Sequence, residues 1–195
     1  MPDRTKDQLL LAKAADRDQA AFMELYQRHR TPVFRFAYRL LGSVEQAEDI
    51  THDCFLSLIR KPENFNPARA SLRTYLLAAA RNLALKHFRR GGQETALYDQ
   101  VEEPRTPVRE QPLGRLLEQE LALKVKEAIL SLPTLQREAL ILFEYEDLTL
   151  NEIASVVGTD VGAVKARLFR ARERLRTILQ PYLNSDREIV TLERA

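Results

Sequence analysis

Between Val161 and Leu179 the chain carries Lys165, Arg167, Arg170, Arg172, Arg174 and Arg176 against a single acid, Glu173. Guanidinium groups at this density suit an anion: they pair bidentately with guanine edges and with phosphate oxygens. A second basic block lies upstream. Between Glu63 and Glu94 there is no acidic residue, yet the interval holds Arg69, Arg73, Arg81, Lys86, Arg89 and Arg90. Phe65, Tyr75 and Phe88 stand among these cations together with Asn64, Asn66 and Asn82. Bases drawn out of a duplex are held by stacking on aromatic faces, by amide hydrogen bonds and by Arg on the backbone, so the block reads as a surface for single-stranded or melted DNA. On spacing alone, Tyr75 and Phe88 fit core positions equally well. A charge run by itself is as often a plain solvated face, and net charge is only +2 because acids elsewhere dilute both blocks.

Other chemistries find little support. His52 and Cys54 are two residues apart and point to different sides of a helix, and His29 and His87 add no ligand spacing, so no metal site is expected. Cys54 falls on an apolar stripe as a small core residue rather than a nucleophile, and a lone cysteine forms no intrachain disulfide. There is no phosphate-cradling Gly-rich loop and hence no expected cofactor. Carboxylates are plentiful, but none is paired within an apolar run that would perturb it. The expectation is a binding protein and not an enzyme.

The elements that position these residues are helices. The chain has 195 residues, 45% of them hydrophobic, enough for one core or two small ones, and its six Gly are too few for a turn-rich β architecture. No apolar run approaches the roughly 18 to 20 residues of a membrane span, so a cytoplasmic protein without membrane insertion is expected. DQLLLAKAA and DQAAFMELYQRHR predict a helix pair. Thr31 and Pro32 either start a new helix or sit inside a continuous one. Ser43 with Gln46 has the pattern of a capping box and opens a helix whose stripe is Ala47, Ile50, Cys54 and Leu58. RKPENFNPARAS reads as a loop, and SLRTYLLAAARNLALKHFRR is helical. From Gly91 to about Gly114, three Pro, three Gly and no helical stripe predict a flexible linker. Helices resume at RLLEQELALKVKEAIL and LQREALILFEYE. The expected architecture is all-α, with domains at 1–90 and 116–182, a linker at 91–115 and a short tail at 183–195 beyond Pro181, which closes the last helix.

Thr149 stands three residues before Glu152, a capping-box pattern that predicts a helix from Leu150 to Val157, followed by a turn at Gly158 and a cap at Thr159 or Asp160. This is the spacing of a helix-turn-helix, whose second helix enters the major groove. Projected at 100° per residue, Val161, Val164, Leu168, Ala171, Leu175 and Leu179 form the buried stripe. Ala166, Phe169 and Arg170 lie opposite, with Lys165 and Arg167 toward the flanks. Arg and an exposed ring beside small residues suit base edges, and flanking cations suit phosphates. Solvated i to i+4 pairing explains the helix poorly, since only Glu173 is at hand to pair with so many cations.

The segment FMELYQRHRTPVFRFAYRLLGSVEQAEDITHDCFLSLI, followed by TYLLAAARN, resembles sigma region 2, and ILSLPTLQREALILFEYEDLTLNEIASVVGTDVGAVKARLFRARERL resembles sigma region 4. The order and the short connection are similar to those of the extracytoplasmic-function group of bacterial RNA polymerase sigma factors. The resemblance implies a dissociable transcription-initiation subunit whose partners are core RNA polymerase, through its β′ clamp helices and β flap, promoter DNA and an anti-sigma factor. It places Glu48, Asp49, His52 and Asp53 at the clamp helices. Phe65, Asn66, Ser71, Thr74, Tyr75, Arg81 and Asn82 fall at the minus-ten element, and Lys165, Ala166, Arg167, Phe169 and Arg170 at the minus-thirty-five element. Tyr75 stands where the family usually has Trp, Lys86 where an Asp is common, and GAVKAR replaces GTVKSR with two fewer hydroxyls. A stand-alone helix-turn-helix regulator and an RNA-binding adaptor are the alternative functions.

Overall fold

The computed structural model describes the backbone of residues 2–91 and 112–192 and the side chains of residues 5–89 and 120–182. The expected linker at 91–115 thus lies largely outside the described residues. Within them the regular structure is α-helical apart from one short 3-10 turn, Pro62–Asn64: α1 Pro2–Ala15, α2 Gln19–Leu41, α3 Val44–Arg60, α4 Leu72–Gly91, α5 Pro112–Leu130, α6 Thr134–Glu144, α7 Leu150–Val157 and α8 Val161–Leu192. None of these helices is long and apolar enough to cross a membrane.

Local signals set most of the boundaries. Asp18 caps α2 by accepting a hydrogen bond from the Ala21 N–H at 3.0 Å, and Ser43 caps α3 through the Gln46 N–H at 3.3 Å. Gly42 ends α2 in the left-handed region, φ 77°, where its N–H reaches the Tyr38 carbonyl. Pro32 lies inside α2, which is one continuous helix. A proline removes one hydrogen bond, and the fully buried Val33, Phe36, Ala37 and Leu40 anchor the helix beyond it. Pro181 likewise fails to end α8, contrary to expectation. The helix continues to Leu192, so most of the supposed tail is its extension.

In the first half α2 is the hub against which α1, α3 and α4 pack, and in the second half α8 packs against α5, α6 and α7. The halves do not stand apart. Helix α2 also meets α5 and α6, and α4 meets α7, so Leu40, Leu76 and Leu77 belong to the same apolar cluster as Leu132, Ile141 and Leu142. Buried Asp7 fastens α1 to α2, with His29 Nε2 at 3.0 Å and an Arg28 nitrogen at 3.4 Å.

Arg137 closes the junction of α2, α5 and α6. Its buried guanidinium donates to the Leu40 carbonyl at 2.8 Å, the Leu132 carbonyl at 2.9 Å and the Leu130 carbonyl. Leu40 and Leu130 lie in the last turns of α2 and α5, where carbonyls lack helical partners and the helix dipole favours a cation. Arg137→Ala leaves these carbonyls buried without a donor. We expect it to lower the urea midpoint by the equivalent of about 3 kcal/mol, and Arg137→Lys, lacking the forked geometry, to recover only part of that loss.

Candidate nucleic-acid interface

The helix-turn-helix forms as its spacing requires. Thr149 and Glu152 complete a reciprocal capping box at the start of α7, with the Glu152 N–H on Thr149 Oγ1 at 3.3 Å and the Thr149 N–H on Glu152 Oε2 at 3.0 Å. Gly158 adopts φ 67° and turns the chain, a conformation that a Cβ would strain. Asp160 then caps α8 by accepting from the Ala163 N–H at 2.9 Å, a bond that also holds its carboxyl below the usual range. Val164, Leu168 and Ala171 are buried, Val161 and Leu175 pack on the core cluster, and this stripe fixes the rotation of the helix.

On the opposite side Lys165, Phe169 and Arg170 face solvent, Phe169 with 67% of its surface exposed, and Ala166 is half-buried beside them. Arg167 turns inward to Glu138 Oε1 at 3.2 Å. Arg172 meets Glu144 at 2.7 Å and lies over the Phe143 ring, while Arg176 meets Glu173 at 2.8 Å. This corrects the expectation that Glu173 alone could pair: α6, distant in sequence, supplies two further acids. Lys165, Arg170 and Arg174 have no acidic partner among the described residues.

The first basic block is arranged around the start of α4. Asn66 Oδ1 accepts from the Ala68 N–H at 2.9 Å, holding the loop after the 3-10 turn. Ser71 Oγ accepts from the Thr74 N–H at 3.1 Å and lies 2.8 Å from Thr74 Oγ1, so these two hydroxyls cap α4, and Thr74 is buried. Phe65 meets Tyr75 edge-on at 5.5 Å, both half-buried against the core, and burial pushes the Tyr75 phenol above its ordinary pKa. Asn82 is exposed. Arg81 Nε and Nη2 donate to the two oxygens of Glu138 at 2.8 and 3.1 Å. Arg73 donates to Glu146 Oε2 at 2.6 Å and to the Glu146 carbonyl at 2.9 Å.

Glu138 and Glu146 are residues that sequence reasoning missed, and they overturn the expectation that no carboxylate is paired within an apolar stretch. Glu138 has no exposed surface and Glu146 only 2%. Glu146 comes back toward α2 and α4 because the chain reverses after α6, with Asp147 at φ 51°. Arg39 of α2 approaches Glu146 at 3.9 Å and stacks on the Tyr145 ring at 4.3 Å. The signal available was Glu138 within REALILF, a charge in a run otherwise too apolar to be surface.

Helix α3 carries the third group. Glu48, Asp49, His52 and Asp53 are all exposed, on the face away from Ala47, Ile50, Cys54 and Leu58, and His52 stacks on Tyr26. Cys54 is buried, and burial followed by the charge of Asp53 pushes its thiol up to about 12. In this setting it packs as a small core residue with its thiol protonated at neutral pH.

Two family models match the chain: Sigma-70 region 2 over residues 25–94 and Sigma-70, region 4 over residues 122–175. Among curated proteins, the chain is 32% identical to the ECF RNA polymerase sigma factor RpoE of Cereibacter sphaeroides, over 89% of this chain and 95% of that one. It is also 32% identical to the ECF RNA polymerase sigma factor SigE of Mycolicibacterium smegmatis, over 83% of this chain but only 64% of that longer protein. The solved structure of CnrH in complex with the cytosolic domain of CnrY is 26% identical, covers 90% of this chain and 98% of its own, and superposes with a TM-score of 0.65.

Burial raises the Glu146 carboxyl above its ordinary 4.5, outweighing the opposing charges of Arg73, Arg39 and Arg35. A carboxyl whose folded pKa is raised contributes stability that is fully present below the unfolded value and is lost as pH rises through the folded one. Wild-type stability relative to Glu146→Gln is therefore expected to grow as pH is lowered from 7 toward 4.5. Urea titrations of both proteins across that interval check the sign, and a difference that shrinks on acidification refutes it.

Proposed function

The chain belongs to the sigma-70 family of bacterial RNA polymerase sigma factors, in its extracytoplasmic-function group, and from that membership we propose how its two halves divide the work of transcription initiation. The protein is a transcription-initiation subunit and not a catalyst. Residues 1–90 dock on core polymerase, Glu48, Asp49, His52 and Asp53 meeting the β′ clamp helices. The same half captures the melted minus-ten strand with Phe65, Asn66, Tyr75, Arg81 and Asn82, while Ser71 and Thr74 shape the start of α4. Residues 116–182 read the minus-thirty-five element in the major groove and meet the β flap.

The observation that carries this reading is the exposed side of α8. Lys165, Phe169 and Arg170 project from a helix whose opposite side is locked into the core, beside the small Ala166, an arrangement suited to base edges and phosphates. Arg167 joins them once it leaves Glu138. An anti-sigma factor is the further partner. It is supported by CnrH, which is solved together with the cytosolic domain of another protein. Such a factor would act on a cytoplasmic subunit.

Run-off transcription by core polymerase with and without the chain tests the reading. Start-site specificity is expected only with it, and binding of duplex DNA by the chain alone without any such gain would instead mark a stand-alone regulator. Phe169→Ala and Arg170→Ala should change promoter choice, each costing about 1 to 3 kcal/mol at the preferred base. Arg174→Ala should weaken all promoters evenly and reduce the salt dependence of binding by about one counterion. If Arg174→Ala alone changes promoter choice, the helix is turned differently in the groove.

A further inference from the structure

A group of exposed cations at one end of the first half has no part in the division of labour proposed above. Helix α1 runs antiparallel to α2, with Lys6 on Glu24 at 2.6 Å and Asp7 on His29, and α3 folds back along α2 so that Tyr26 meets Phe55 at 4.8 Å. The end of α1, the start of α2 and the end of α3 therefore lie at the same end of the bundle, where the 3-10 turn packs on both α1 and α3. Lys13, Arg17, Arg60 and Lys61 stand there, exposed and without an acidic partner among the described residues. Arg69, in the loop that leads from the 3-10 turn into α4, is exposed and unpaired in the same way, so these cations run up to the residues assigned to the minus-ten strand. Among the acids at this end, Asp18 is committed to the cap of α2, which leaves Asp16 and Glu63.

Lys13 and Arg60 have a local explanation, since they lie in the last turns of α1 and α3, where the helix dipole favours positive charge. Arg17 has none. Its N–H reaches the Ala14 carbonyl at 3.1 Å and the Asp18 N–H reaches the Lys13 carbonyl at 3.1 Å, the paired bonds that end a helix at a left-handed residue. Arg17 is that residue, at φ 68°, a conformation that glycine adopts freely and that strains any side chain. Glycines, Gly42 and Gly158, hold the left-handed positions after α2 and α7. Here the chain keeps a guanidinium where the backbone favours its absence.

We infer that this end of the bundle continues the minus-ten surface: the single strand that leaves the loop at Asn66 and Arg69 runs on over Lys61, Arg60 and Arg17, which hold its phosphates. No aromatic ring is exposed among these cations, so they position the strand without reading its bases. The inference rests on the minus-ten assignment proposed above and extends it to α1, for Lys13 and Arg17 precede residue 25, where the match to Sigma-70 region 2 begins.

The test uses the full chain bound to core polymerase and a pair of fluorescein-labelled bubble duplexes. In the shorter bubble the strand is single only across the minus-ten element, and in the longer one it is single for several more nucleotides on both sides. Arg17→Gly is the decisive variant, because it removes the guanidinium and relieves the backbone in one step. It should raise the urea midpoint of the free chain. It should also weaken binding to the longer bubble by about threefold to tenfold and lower the salt slope there by about 0.7, with binding to the shorter bubble unchanged. Lys61→Gln should act in the same direction, and Arg17→Lys, which keeps the charge, should bind the longer bubble nearly as the unaltered chain does. A stabilised Arg17→Gly chain that binds both bubbles normally overturns the inference, since Arg17 is then only a solvated cap. Equal weakening on both bubbles overturns it too, because the contact then lies within the element itself. Phe65→Ala keeps the underlying reading separate: it should weaken both bubbles, and if it affects neither, the minus-ten assignment fails whatever Arg17→Gly does.

Discussion

A carboxylate with no exposed surface survives only if charges and hydrogen bonds replace the water it has lost, and Glu138 sets this requirement for the whole molecule. Two guanidiniums meet it, Arg81 from α4 and Arg167 from α8. Each cation is in turn fixed by its own helix, so one side chain on α6 dictates how three helices from two halves of the chain come together. Breaking such a pair by removing one partner costs about 3 to 5 kcal/mol, because the remaining charge stays buried. Glu146 is less well compensated. Burial raises its carboxyl despite Arg73 and Arg39, so its ion pairs specify the register of α4 against the α6–α7 turn more than they add strength.

The caps and the turn of the helix-turn-helix depend on none of this, and only Arg167 of α8 joins the Glu138 pairing. Its capping box, its left-handed Gly158 and the Asp160 cap are all satisfied between Thr149 and Ala163, and Val164, Leu168 and Ala171 of its apolar stripe are buried. Its exposed side, with Lys165, Phe169 and Arg170, is thus set by local signals, and Arg167 alone is drawn away to Glu138.

The same division explains what the sequence made legible. Helix starts at Ser43 and Thr149, the turn at Gly158, the stripe of α8 and the exposure of the α3 acids all follow from periodicity and capping, which act over three or four residues. The continuation of α8 through Pro181 was missed because one lost hydrogen bond was weighed as a stop. The pairing of Arg81, Arg73, Arg167 and Arg172 was missed for a deeper reason. Their partners lie 57, 73, 29 and 28 residues away, and a count of acids within each basic block carries no information about them. Charge in a folded chain is a property of surfaces, and α4 was basic only in one dimension.

Chain order adds a consequence for biosynthesis. Arg81 and Glu138 are 57 residues apart, so at about 5 to 20 residues per second the ribosome makes the cation about 3 to 11 seconds before the acid that covers it. Throughout that interval Arg73 and Arg81 are without the acids that cover them in the folded chain, while ribosomal RNA, a dense polyanion, is close by. The newborn protein becomes electrostatically quiet only when α6 clears the exit tunnel and takes those arginines out of circulation.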